Sequence, residues 1–189
     1  MHALAQVASL EAQGGPPPEH IAEALNAVLP HDVAVAGAAE APPGFDARFS
    51  ARSRSYRYRI DRRGTPSPFE SRRSWWLPRP LDEERLHGAA ALLSGRHDFR
   101  AFTPTETQHR VFVRTVERAE WRRDGDRLDF EITADSFLRH MVRTLVGTMI
   151  DGEPGELAAL LAGAPREHAG RTAPPWGLYL VGVAYDQEP

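Results

Sequence analysis

The sequence has no cysteine and no lysine among its 189 residues. Without cysteine, disulfides, thiolate metal sites and cysteine nucleophiles are excluded together. A reducing compartment fits that absence, and a cytoplasmic location is the expectation. Nor is there an apolar run of about 18 residues, the length a helix needs to cross a bilayer. The first residues lack a basic stretch leading into an apolar one, so neither a membrane span nor a signal peptide is expected. Also missing are Gly-x-x-x-x-Gly-Lys, Gly-x-Gly-x-x-Gly, Gly-x-Ser-x-Gly and His-Glu-x-x-His. His97, His109 and His140 stand far apart without ligand spacing, so no cofactor and no metal is expected.

The absence of lysine makes all 23 cations arginine. None falls in residues 1–45, which carry Glu11, Glu19, Glu23, Asp32 and Glu40. From Arg48 to Arg79 there are ten arginines against two acids, Asp61 and Glu70. A GC-rich genome accounts for arginine in place of lysine, but not for this segregation. With a net charge of only −3, a local basic stripe implies a polyanion site rather than general stickiness.

The composition changes across Ala38–Gly44 (AAEAPPG), which marks a linker and predicts two parts, residues 1–44 and 45–189. Residues 2–10 alternate weakly, as a strand would. Glu19–Leu29 places Ile21, Leu25, Val28 and Leu29 on one helical face behind Pro18, and Asp32–Ala36 is short and β-like. Ala51–Asp61 is the clearest strand: Arg52, Arg54, Tyr56, Tyr58 and Ile60 share one face, and Ser53, Ser55, Arg57 and Arg59 the other. Asp82 reads as the N-cap of a helix ending near Leu93, with Leu81 and Leu86 at staple spacing. Val111–Arg122 and Arg127–Thr133 predict a hairpin through Asp124-Gly125. Ser136–Ile150 and Glu156–Leu161 predict helices, and Leu178–Tyr185 a closing strand. Strands and helices mix without strict alternation, so the expected class is α+β with a largely antiparallel sheet flanked by helices.

Two segments carry candidate chemistry. In SFLRHMVRTLVG, a helix would set Arg139 and Arg143 four apart on one face beside His140, facing solvent or a groove. In FDARFSARSRSYRYRI, Tyr56 and Tyr58 alternate with arginine; a ring there can pack in the sheet or stack on an unpaired base.

Taken with GRHDFRAF (95–102), Arg114-Thr115-Val116, TAPPWGLYL (172–180) and the opening MHALAQVASL, these segments resemble, in order, the motifs of the tRNA pseudouridine synthase A (TruA) family. Asp46 stands where that family has His, and Thr144 where it has Asn. The resemblance covers nearly the whole chain from Met1 to Tyr185. It implies the pseudouridine synthase fold and a homodimer without cofactor or metal. It also implies a substrate: uridines of the tRNA anticodon stem-loop, at tRNA positions 38–40. By the same resemblance, Tyr56 is the active-site tyrosine, Arg143 the arginine that holds the catalytic Asp, and Leu178 a wall of the uridine pocket. Arg48, Arg52, Arg139 and His140 are the expected RNA contacts.

The family's Gly-Arg-Thr-Asp-Ala-Gly-Val-His-Ala loop aligns so that Met1 replaces its Val and the Asp falls upstream. The expectation is therefore a chain lacking the catalytic Asp and the N-terminal strands, and inactive as given. Residues 1–44 would then be the remnant of the N-terminal catalytic subdomain. Three readings stay open: a longer enzyme whose GTG codon is read as the start, a truncated tRNA-binding module, and a non-functional gene fragment.

Overall fold

The computed structural model of the protein describes residues 1–186. In chain order its elements are β1 (His2–Ala3), α1 (Pro18–Asn26), β2 (Ala51–Asp61), β3 (Trp75–Trp76), α2 (Glu83–Ala91), β4 (Gly95–Asp98), β5 (Val113–Asp124), β6 (Arg127–Ala134), α3 (Met141–Asp151), α4 (Pro154–Leu161) and β7 (Leu178–Tyr185). The strands form one mixed sheet in the order β1-β7-β2-β6-β5-β4, with β3 beside β2. β6 pairs antiparallel with β2 and β5, and β4 with β5; β1·β7 and β2·β3 are parallel. The expected α+β class is borne out.

The described residues divide into two compact units, one of Met1–Gln6 and Arg52–Ala184, the other of Val7–Ala51 with Tyr185 and Asp186. The first unit holds the core. Alternation along β2 sends Tyr58 and Ile60 inward, opposite Phe130 and Leu128 of β6. From the helices, Leu86 of α2 and Met141, Leu145 and Met149 of α3 are at most 2% exposed. Each such side chain contributes on the order of 1.5–3 kcal/mol by leaving water. The Asp82 carboxylate caps α2 by accepting from the Arg85 N–H at 2.9 Å, as the sequence predicts. The β5–β6 hairpin closes between Asp124 and Arg127, with Gly125 at φ +59° in the turn.

In the second unit α1 starts at Pro18 but buries no residue fully. The expected strand at 32–36 does not form. The Asn26 carboxamide instead donates to the Val35 carbonyl at 2.9 Å and accepts its N–H at 2.8 Å, satisfying the backbone that a sheet would have paired. Residues 45–50 turn on Asp46, whose Oδ1 accepts from the N–H groups of Arg48 and Phe49 at 2.8 Å. The Tyr185 hydroxyl donates to the Ala47 carbonyl at 2.8 Å.

A second departure matters more. The predicted helix at 136–150 begins only at Met141, because His140 adopts a left-handed conformation at φ +64°. Such a residue breaks the helical turn before it can propagate. β1 is likewise two residues long rather than the expected nine, and β3 and β4 were not expected from the sequence.

Candidate active site

Arg143 sits in the first turn of α3, against residues 170–178. Its Nε donates to the Ala173 carbonyl at 2.6 Å, and its own carbonyl accepts from the Ala173 N–H at 3.0 Å. At the next residue the Thr144 hydroxyl meets that of Thr172 at 3.2 Å, and one turn further on Thr148 Oγ1 accepts from the Gly170 N–H at 3.0 Å. This closeness requires glycine at 147, since a Cβ there would lie 1.8 Å from the Arg171 carbonyl oxygen. Residues 170–174 thus form a strap riveted along α3. Burial lowers the pKa of the Arg143 guanidinium, and the neighbouring Tyr58 opposes that shift; an arginine so placed keeps its charge near neutrality. Among the described residues no carboxylate lies within ion-pair distance of it.

Beyond the strap the chain enters β7 through Gly177 and Leu178. A Cβ on Gly177 would come within 2.8 Å of the Arg59 carbonyl and the Tyr58 ring. The Tyr58 hydroxyl donates to the Pro174 carbonyl at 2.8 Å. Tyr58 and Arg143 therefore hold adjacent carbonyls, Pro174 and Ala173, at one end of the strap, and Thr148 holds Gly170 at the other. Leu178, 6% exposed, belongs to the same buried cluster as Tyr58. Burial pushes the Tyr58 phenol well up, with Arg143 and Arg171 pulling it down. The sequence offered ordinary strand packing for this residue, and its bond to the strap was not foreseen.

Tyr56 lies two residues earlier on the same face of β2, half-buried, with its ring edge-on to Phe137 at 4.9 Å. Burial raises its phenol pKa, and Arg54 lowers it to a lesser degree. Phe137 opens the turn that carries Arg139 and His140 into α3. Because the helix starts after His140, Arg139 and Arg143 do not share a helical face; that expectation is corrected. The Arg139 N–H donates instead to His109 Nε2 at 3.3 Å. His140 is held below the usual histidine pKa by burial and then by Arg143, Arg139 and Arg166. Arg166 was not singled out in the sequence, where nothing in its local pattern distinguishes it. Arg52 is exposed at the start of β2. Arg48 belongs to the second unit, its guanidinium 5.3 Å from the Phe49 ring centre.

Much of the arginine stripe is committed to acids. Arg57 and Arg59 of β2 stand in register with Glu131 and Asp129 of β6. Arg57 reaches Glu131 at 2.7 Å, and Arg59 approaches Asp129 at 3.7 Å. Arg62 pairs with Glu83, Arg63 with Asp61 and Arg79 with Asp151. These pairs form a cross-strand ladder and its extensions. At the candidate site Arg139, Arg143 and Arg166 act on His140, and Arg54 of the stripe acts on Tyr56. Among the described residues no cluster of His, Asp or Glu is placed to hold a metal ion, and no helix is long and apolar enough to cross a membrane.

Comparison with known proteins places these features in a family. The model of tRNA pseudouridine synthases matches residues 89–186, which include α3, the strap and β7. The tRNA pseudouridine synthase A of Mesorhizobium japonicum is 42% identical over 193 residues, covering 98% of this chain and 78% of that protein. Its counterpart in Beijerinckia indica is 42% identical over all of this chain and 75% of that protein. The one in Moorella thermoacetica is 42% identical over 98% of this chain and 77% of that protein. With that identity extending from end to end of the sequence, the chain belongs to the tRNA pseudouridine synthase A family.

Proposed function

We propose that this chain binds tRNA and presents a uridine pocket built on Tyr56, Arg143 and Leu178. The reaction of the family is isomerisation of uridine to pseudouridine. The substrate proposed is the anticodon stem-loop and the acting form a homodimer. A stacked base is out of reach, so the uridine must leave the stack before it enters the pocket. In the isomerisation the bond from ribose C1′ to N1 breaks, a bond from C1′ to C5 forms, C5 loses its proton and N1 gains one. No oxidant or cofactor is needed.

The observation that carries the reading is Arg143. Its Nε is fixed by the Ala173 carbonyl, so the two terminal nitrogens are held in one plane and direction. That fork suits a carboxylate or phosphate taken by paired hydrogen bonds. Tyr56, its phenol raised by burial, stays protonated at neutral pH. It offers a ring to stack and a neutral hydroxyl to bond a base edge, rather than a ready-made phenolate. Leu178 supplies an apolar wall. Arg52, Arg139 and His140 are the proposed contacts to the RNA around the flipped nucleotide; Arg48, in the second unit, is proposed as an RNA contact of that unit by itself.

A second reading has its own support. Among the described residues Arg143 has no acid partner, which favours tRNA binding without turnover. Tritium release from tRNA labelled at uridine C5 separates the two, because loss of the C5 proton accompanies each isomerisation. We expect salt-sensitive binding and no release from the purified 189-residue chain. Release would show that an acid of this chain reaches Arg143. Absence of both binding and release would sink the functional reading.

A further inference from the structure

A groove of about 280 Å³ opens between residues 98–112 and the turn that follows α4. That is close to the lower bound of about 300 Å³ for small-molecule pockets, room for one ring system. Phe112, Leu160 and Ala164 contribute apolar wall. Thr103, only 2% exposed, lines it as well, and its hydroxyl has no hydrogen-bond partner among the described residues. That hydroxyl is enclosed, so the groove's polar character comes from its arginines rather than from Thr103. Arg100 and Arg166 also line the groove. The Arg100 guanidinium lies 4.9 Å from the Phe112 ring centre. It is steadied by Asp98, which accepts from the Arg100 N–H at 2.8 Å and pairs with the side chain at 3.4 Å. Net positive charge there rests chiefly on Arg166.

The groove is tied to the candidate site from both sides. Arg166 bonds the strap, at 3.4 Å to Thr172 Oγ1 and 3.5 Å to the carbonyls of Ala169 and Gly170. The segment 103–112 reaches Arg139 through His109.

We propose that the groove receives an unstacked nucleotide of the bound tRNA, distinct from the uridine beside Arg143; this rests on the tRNA reading above. A base has flat apolar faces for the walls formed by Phe112, Leu160 and Ala164. Guanidinium planes such as Arg100 are surfaces on which unpaired bases stack. The phosphate of the same nucleotide meets Arg166. A free phosphate would leave the apolar walls unused, and an aliphatic ligand would leave the charge of Arg166 unused.

The test measures binding of the full chain to a tRNA transcript carrying 2-aminopurine in the anticodon loop, across a salt series. Ala164→Leu fills the groove without touching a charge. Since stacking of one base is worth about 1–3 kcal/mol, Ala164→Leu should raise Kd about 5-fold or more. It should leave the salt slope unchanged and suppress part of the 2-aminopurine response. Arg166→Gln should reduce the salt slope by about 0.7–0.9, one phosphate contact. A folded Ala164→Leu protein whose Kd stays within about twofold of the parent overturns the inference while leaving the tRNA reading intact. So does an effect confined to self-association or to capture of another protein. No salt-sensitive binding by the parent chain overturns both.

Discussion

Arg143 and Ala173 are joined by two hydrogen bonds running in opposite directions, Ala173 N–H to the Arg143 carbonyl at 3.0 Å and Arg143 Nε–H to the Ala173 carbonyl at 2.6 Å. Only the second depends on the side chain. Arg143→Ala should therefore cost about 1–3 kcal/mol, read as a lower urea midpoint at unchanged m. Arg143→Lys keeps the charge but loses the planar fork. In the isomerase reading it should not restore anion binding at the site.

Gly147 offers a steric contrast with another helical glycine. A methyl at 147 would meet the Arg171 carbonyl at 1.8 Å, whereas nothing lies within 4 Å of one at Gly88. Gly147→Ala should destabilise by about 3 kcal/mol or more, because backbone must shift to admit it. Gly88→Ala, on α2, should stabilise by about 0.5–1 kcal/mol through helix propensity. Equal effects in thermal melts of the two variants would contradict the riveted strap.

Tyr58 gives the fold an alkaline weak point. Burial raises its phenol pKa above the ordinary 10.0, so above about pH 10 the unfolded chain has lost the proton that the folded chain keeps. The unfolded state then binds fewer protons, and stability falls as pH rises from there toward the folded pKa; below pH 10 the contribution is fully present. Tyr56 and Tyr179 shift in the same direction. Tyr58→Phe should flatten part of this fall. It should also cost about 1 kcal/mol at neutral pH for the lost bond to Pro174. A slope above pH 10 identical to the parent's would refute the assignment.

His140 is a non-glycine residue at φ +64°. His140→Gly should therefore be more stable than His140→Ala by about 1–2 kcal/mol, since only glycine enters that region freely. The imidazole titration, followed by NMR, should fall below the ordinary 6.5, because burial and the charges of Arg143, Arg139 and Arg166 all oppose protonation. Bound tRNA should move it upward, as phosphate compensates the arginines. A downward movement would argue against RNA contact at this turn.

Elements whose signals are local were legible in the sequence. β2 is legible through the period-two spacing of Tyr56, Tyr58 and Ile60, and α2 through the Asp82 cap. The start of α3 is not legible, because Phe137 and Leu138 continue the apolar period while the break lies in the backbone of His140, which composition does not reveal. The strand expected at 32–36 lost to a carboxamide nine residues away. In the site, residue types with matching motifs were readable. The strap was not, because its contacts with α3 span some thirty residues and use mainly backbone atoms and hydroxyls. The arginine stripe misled in part for a related reason: its acidic partners, Asp129 and Glu131, stand on another strand.

The strap has no regular secondary structure, yet its Gly170 and Ala173 amides donate to atoms of α3. Their release requires the helix and strap to separate. In deuterated solvent these two protons should persist as long as those of α3 and outlast the other loop amides by orders of magnitude. The wall on which Arg143 is mounted would then open only when the sheet unit itself unfolds.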